Sequence, residues 1–503
     1  MPSLRVRSAG VIAAAAAAAL LVAIPAAGAA PLRTATTTDY TTATYLQHAL
    51  GLPASDTDPA IEPVTYDRFQ WLLQQSGNLA VLIGDPATDP HFVNRARDVE
   101  AAAHTAGVQQ VYWFDPNLSG SAHVGSVTEP NLDIRDPSGI TALAAASQTK
   151  YDNAWKALVG QYLGNGLAIT QNGLNSENAT VTVATDASVV NDDGSTTGHS
   201  TEVGDASGGA LYDYSGGSAP ADVQDSFFFI YNKAHQDGAD HAKIVSWTDL
   251  TGQANSATAQ ADVTTAIGTV GASNVAQIDE FAFWKSEVNA KQATQASTPA
   301  QGVGVPVLTD ADAADGWRVH QVTYPELVDL LESGADSANA VILFGGTWCP
   351  NTRPVLPSIN KSAQQNGVQV YNFDTVLDGG LVGGSTTSAS DPLQSRNTQN
   401  NGTTTPTGAN PSSLYGDLVD LYFKNIKTQY DYTTNPNDGK VTYYPGGDTT
   451  GTQATTRKLQ VPFVIGYQKD GAGNGVRRQW IIDKGNGAYT EYMSQWYLTN
   501  PQP

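Results

Sequence analysis

Apolar residues in this chain fall into short continuous runs and helical stripes, and one succession of them occurs twice. The stretch VTYDRFQWLLQQSGNLAVLIGDPATDPHFVNRARDVEAAAHTAGVQQVYWFD from Val64 matches VTYPELVDLLESGADSANAVILFGGTWCPNTRPVLPSINKSAQQNGVQVYNFD from Val322 with few gaps. Val64-Thr65-Tyr66 corresponds to Val322-Thr323-Tyr324, Gly107-Val108-Gln109 to Gly367-Val368-Gln369, and Phe114-Asp115 to Phe373-Asp374, so the chain carries one unit twice. In each copy the pattern predicts a helix after Val-Thr-Tyr, then a buried strand (80–83 or 340–344), then a second helix and strand. In the second copy that helix is expected to start near Cys349 and end before Gly367, with the strand over 368–373. Helices alternating with short apolar strands predict parallel βαβ units with right-handed crossovers.

Beyond these cores the copies run into long polar segments, 119–224 and 378–458, whose Gly, Ser, Thr and Asn content reads as long surface loops. Each insert holds one amphipathic helix, with Tyr151, Ala154, Trp155, Leu158, Val159 and Tyr162 on one face in the first copy. Leu414, Leu418, Leu421 and Tyr422 do the same in the second. SFFFIYNKA from Ser226 and PFVIGYQKD from Pro462 then read as strands, followed by KIVSWTDL and RRQWIID, an antiparallel hairpin added to each parallel unit. A last helix closes each copy, IDEFAFWKSEV in the first and YTEYMSQWYL in the second. The expected fold class is α/β: two domains, each a central mixed β-sheet flanked by helices, with long polar insertions.

Arg5 and Arg7 precede an Ala-rich apolar run from Val11 to Ile24 and the small residues Ala27-Gly28-Ala29, the layout of an export signal cut after Ala29. The boundaries read as a signal peptide (1–29), an N-terminal extension (30–60), a first domain (61–290), a linker (291–303) and a second domain (304–503). No later stretch is long and apolar enough to span a bilayer once the signal is removed. The expected location is therefore secreted, extracellular or in the cell envelope. A formal charge of −22 argues against nucleic acid and anionic membrane surfaces as partners. Cys349 is the one cysteine in 503 residues, so no disulfide within the chain is available and packing must hold the fold.

The segment around that cysteine resembles thioredoxin. Trp348-Cys349-Pro350-Asn351-Thr352 follows a strand where that family has W-C-x-x-C; Pro357, eight positions after the cysteine, matches the proline that kinks its helix. Val461-Pro462-Phe463 leads an apolar strand as the family's cis-proline does, and the likeness covers most of 317–500. It implies a thioredoxin-like domain in which the helix start stabilises a Cys349 thiolate, with the Thr352 hydroxyl in support and Pro462 lining a peptide groove. Arg353 reads equally as a second support for the thiolate and as a solvated surface charge. Pro462 in trans at the start of an edge strand is the other reading of that proline. The departures are as informative: Thr352 stands where the resolving cysteine would be, and Leu343 where the family has a buried acid, so a dithiol cycle is excluded and an external thiol must regenerate the site. In the first copy Asp89, read as a helix N-cap, aligns with Cys349, Pro90 with Pro350 and Ser226 with Pro462, a degenerate domain without the thiol.

Other signals are bland. His235, Asp237, Asp240 and His241 align with a plain turn, TDADAADG at 309–316 lacks the calcium-loop spacing, and DGGLVGG at 378–384 lacks the lysine of a phosphate loop. No metal and no cofactor are expected. Two functions stay open: a monothiol site at Cys349 acting on disulfides or peroxides with an external reductant, or a noncatalytic exported binding protein. Extracellular proteins or thiol-containing small molecules are the expected partners; whether the protein is an enzyme, and in what oligomeric state it acts, the sequence leaves open.

Overall fold

The computed structural model describes residues 40–135, 154–155, 158, 184–190, 196–201, 226–235, 243–250, 253–294, 305–332, 340–381, 393–396, 411–427 and 440–481. The expected export signal, His241 and its two neighbouring aspartates, and the expected last helix of the second copy lie outside them.

The first repeat runs α1 (Thr42–Ala49), β1 (Ile61–Pro63), α2 (Tyr66–Leu72), β2 (Leu79–Ile83), α3 (Phe92–Ala106) and β3 (Val111–Phe114). Three hairpin pairs follow: β4 (His123–Val124) with β5 (Val127–Thr128), β6 (Ala184–Val190) with β7 (Thr196–Thr201), and β8 (Phe227–Tyr231) with β9 (Ile244–Asp249). Two helices, α4 (Ser256–Gly268) and α5 (Glu280–Thr294), complete it. The second repeat gives β10 (Val319–Gln321), α6 (Tyr324–Glu332), β11 (Ala340–Phe344), α7 (Leu356–Asn366), β12 (Val370–Phe373) and α8 (Ser412–Tyr422). It ends with the pair β13 (Lys440–Tyr443) and β14 (Ala454–Arg457), then β15 (Phe463–Tyr467) and β16 (Val476–Ile481).

Both repeats form a five-stranded mixed sheet of the same order, β1-β3-β2-β8-β9 and β10-β12-β11-β15-β16. The first three strands of each are parallel, the fourth runs antiparallel to them, and the fifth runs antiparallel to the fourth. The central strands are continuous apolar runs because helices cover both faces. Leu79 to Ile83 are all buried, each large side chain there being worth about 1.5–3 kcal/mol. Gly107 and Gly367 end α3 and α7 at φ +81° and +66°, a left-handed turn that disfavours a Cβ.

Several elements depart from the sequence reading. β1 and β10 precede the Val-Thr-Tyr motif as edge strands, three residues long and too short to leave a periodic signal. Ala254-to-Gly268 carries the unforeseen α4, which packs on α3. α5 extends to Thr294, through the first residues assigned to the linker and past the end of the domain placed at 290. The N-terminal extension contains α1, which packs on α6 of the second repeat: Tyr40 Oη donates to Asp329 Oδ2 at 2.6 Å, and His48 Nδ1 lies 3.0 Å from the same carboxylate. In the inserts Ala154, Trp155 and Leu158 are helical and buried, and Tyr151, Val159 and Tyr162 lie outside the described residues. Leu414, Leu418 and Tyr422 are buried on α8, but Leu421 is 36% exposed.

The repeat also continues further than the polar composition suggests. Leu118 N donates to Leu132 O, as Leu377 N does to Leu393 O, and the buried Arg135 and Arg396 follow at equivalent places. Tyr66 Oη donates to Ala154 O and Tyr324 Oη to Leu414 O, so the tyrosine of each Val-Thr-Tyr motif anchors the helix of its own insert.

The two repeats meet through these same segments. A Cβ on Gly120 would lie 2.3 Å from Pro325 Cγ, and one on Gly379 would lie 2.4 Å from Asp67 Cβ; Gly120 aligns with Gly379 and Asp67 with Pro325. The contact is thus made in both directions, as in a two-fold dimer. Gln321 bridges it, its Oε1 accepting from Thr65 and its Nε2 donating to Asp67. One apolar cluster runs through both repeats.

Candidate functional site

The loop after β11 is shaped by the two glycines that precede the motif. A Cβ on Gly346 would fall 1.8 Å from Asp374 Oδ2, and one on Gly345 would fall 2.6 Å from Thr352 Oγ1. Their absence of side chains lets the loop fold back onto the end of β12. There Trp348 Nε1 donates to both oxygens of Asp374, at 2.8 and 3.1 Å, and the amide of Val376 donates to Oδ1. Burial is the largest influence on Asp374 and the negative charge of Asp67 the next; together they outweigh these donors and Lys291, pushing its carboxyl up to about 7.

Cys349 follows in a turn. The residue is 3% exposed and its Sγ lies 3.7 Å from Val461 O, next to the cis Val461–Pro462 bond. Trp348, Cys349, Thr352, Arg353 and Pro462 therefore converge. Pro350 is partly exposed at the rim, and Pro357 lies in the first turn of α7.

Four expectations are corrected. The α-helix does not open at Cys349: a 3-10 turn, Arg353–Val355, intervenes and α7 starts at Leu356. Pro354 and Pro357 lack the N–H groups that regular i to i−4 bonding would use, so Pro357 stands at a helix start and makes no kink within one. The Thr352 hydroxyl is buried and has no hydrogen-bond partner, so it does not hold the sulfur. Arg353 is not a surface charge. Its guanidinium is fully buried, donating to the Thr347 and Trp348 carbonyls at 3.1 and 3.2 Å and to Gln292 Oε1 at 3.3 Å. Burial is the largest influence on it and lowers its pKa.

Gln292 and Lys291 belong to α5 of the first repeat. Lys291 Nζ donates to Thr347 Oγ1 at 2.6 Å, so the end of α5 closes over the base of the loop. These contacts had no sequence signal, because the partners are more than fifty residues apart. Asp374 did have one: it is the aspartate of the Phe-Asp pair that both copies share.

The first repeat holds a different pair at the same place. Ser226 Oγ donates to Asp89 Oδ2 at 2.6 Å, directly before β8. Asp89 precedes α3 without capping it; the N-cap is His91, whose amide donates to Asp89 Oδ1. Asp115, the equivalent of Asp374, is likewise raised, by burial first and by Asp85 second.

Between the repeats lies a cavity of about 40 Å³, lined from both copies by the Val-Thr-Tyr and Phe-Asp motifs. Among the described residues, the side chains placed to share a metal ion are Asp56, Glu100 and His104, on the far end of α3 from Asp89. No described helix is long and apolar enough to cross a membrane.

No family model matches the chain, and no curated protein matches it. A solved structure, the crystal structure of ERdj5 form I, aligns with 9% identity over 88% of this chain and 30% of that chain, at a TM-score of 0.17. A score that low carries no argument about fold or function.

Proposed function

We propose that the protein is an exported tandem thioredoxin-like protein whose second repeat carries a monothiol redox site at Cys349 for small oxidants. The observation that carries the reading is the placement of the sulfur 3.7 Å from the Val461 carbonyl, directly before β15, in a loop whose Thr347 and Trp348 carbonyls are held by the buried Arg353. The thiolate is the reactive form of a cysteine. With a peroxide, the thiolate sulfur attacks one oxygen: an S–O bond forms, the O–O bond breaks, hydroxide leaves, and Cys349 becomes a sulfenic acid. Two equivalents of an external thiol return it to the thiol, releasing water and a disulfide. With Thr352 in the second position and no other cysteine, the reductant must come from outside.

The 3% exposure of Cys349 restricts the partner to small molecules, since a protein disulfide has no approach to the sulfur in this state. The same enclosure favours a second reading, a noncatalytic scaffold in which two domains, 61–290 and 304–503, serve binding. Treating the folded chain with hydrogen peroxide and a sulfenic-acid trap, then measuring intact mass, separates them. One adduct, absent from Cys349→Ser, supports the redox site; an adduct formed only after unfolding in urea overturns it and leaves the scaffold.

A further inference from the structure

We propose that Asp56, Glu100 and His104 form a site for a divalent transition-metal ion of the zinc class, which clips the end of α3 to the loop leading into β1. Glu100 and His104 are one helical turn apart on α3, with His104 Nε2 2.7 Å from Glu100 Oε1 and 3.7 Å from Asp56 Oδ1. All three ligand atoms lie within 4.8 Å of one another. A tetrahedral ion at about 2.1 Å from each ligand sets ligand atoms about 3.4 Å apart, so small side-chain adjustments admit it.

The donor set selects the ion. One imidazole nitrogen with two carboxylate oxygens suits Zn²⁺ and its neighbours in the transition series, whereas Ca²⁺ and Mg²⁺ favour oxygen alone. Three protein ligands leave the remaining position to water. Glu100 is already aimed: Ala60 N donates to its Oε1 at 2.7 Å and Ile61 N to Oε2 at 2.8 Å, each oxygen keeping a second lone pair. Such outer bonds orient metal ligands. The carboxylate is 3% exposed, whereas the His104 side chain is half exposed and gives the ion a route from solvent.

The second repeat supplies an internal comparison. At the positions of Glu100 and His104 it has Asn360 and Gln364. Arg318 N donates to Asn360 Oδ1 as Ala60 N does to Glu100. Asn360 and Gln364 then close the junction directly, donating to Asp312 O, and Gln364 also to Gly316 O. The same helix-to-loop junction is thus sealed by neutral amides in one repeat. In the other it presents two carboxylates and an imidazole, whose ligand atoms lie within 4.8 Å of one another.

The test uses the full chain in a Cys349→Ser background, so that the thiol cannot contribute ligands, after treatment with chelator. Titration with Zn²⁺ alone, and separately with Co²⁺ followed by its visible absorption, should give one equivalent bound and a raised thermal midpoint. His104→Gln, which installs the residue of the sister repeat, and Asp56→Asn should each weaken binding at least about tenfold with an unchanged circular dichroism spectrum. Absence of binding to the chelator-treated chain overturns the proposal. So does binding that persists unweakened in both variants, which would assign the ion to other residues.

Discussion

His320 gives the sharpest quantitative expectation. Its Nδ1 is 2.8 Å from Glu280 Oε2, its Nε2 is 3.8 Å from Glu326 Oε1 and 3.2 Å from Thr42 Oγ1, and its side chain is 16% exposed. Burial works against the charged ring, but Glu280 and then Glu326 prevail and raise its pKa from 6.5 to about 10. Glu280 in turn is held below its usual range, burial being outweighed by His320 and Arg68. A group whose pKa rises on folding stabilises the fold fully below its unfolded pKa and loses that contribution as pH climbs to the folded value. The window is therefore 6.5 to about 10. Each pH unit in it is worth about 1.4 kcal/mol, so the whole is roughly 3 to 5 kcal/mol.

The assay is urea unfolding of the full chain and of His320→Gln at pH 6.5, 8 and 9.5, followed by tryptophan fluorescence and circular dichroism. Titrating groups that do not touch the ring contribute equally to both proteins and cancel in the difference. The stability gap between them should be widest at pH 6.5 and shrink by about 1.4 kcal/mol per unit as pH rises. A gap that stays constant with pH would refute the charged ring and with it the electrostatic tie between α5 and β10.

Gly379→Ala and Gly120→Ala should each destabilise the chain by about 1–3 kcal/mol, since the new Cβ meets Asp67 or Pro325 across the repeat junction. Gly107→Ala, with a left-handed φ but open space around it, should cost only about 1 kcal/mol in the same urea assay. Asp374→Asn should stabilise the protein at pH 8 by a few kcal/mol and lose that advantage near pH 4, because a carboxyl raised to about 7 favours the folded state only while protonated. Alkylation of Cys349 should be at least about a hundredfold slower in the folded chain than in urea, and equal rates would show that the sulfur is open.

What the sequence disclosed follows from how locally each feature is encoded. The central strands and the helices of the repeat core are written as continuous apolar runs and 3.6-residue stripes, and the duplicate copy made them easy to register. Edge strands of three residues carry no period, and α4, built of Ala, Thr and Gln, lacks the contrast between faces that marks an amphipathic helix. The site was legible only along its own strand of sequence: Trp348, Cys349 and Pro462 declared themselves, whereas the burial of Arg353 depends on Gln292 and the carbonyls of a folded loop. Glycines 345 and 346 and Asp374 act through contacts that exist only once β11 and β12 lie side by side.

The reciprocal contact of Gly120 with Pro325 and of Gly379 with Asp67 has a consequence for concentration. Two separate subunits meeting through such a surface would part on dilution. Halves joined in one chain see each other at an effective concentration of about millimolar, however dilute the protein becomes. Their pairing is then independent of supply, and the two halves are free to differ at equivalent positions, as Asp89 and Ser226 differ from Cys349 and Pro462, while each remains the permanent partner of the other.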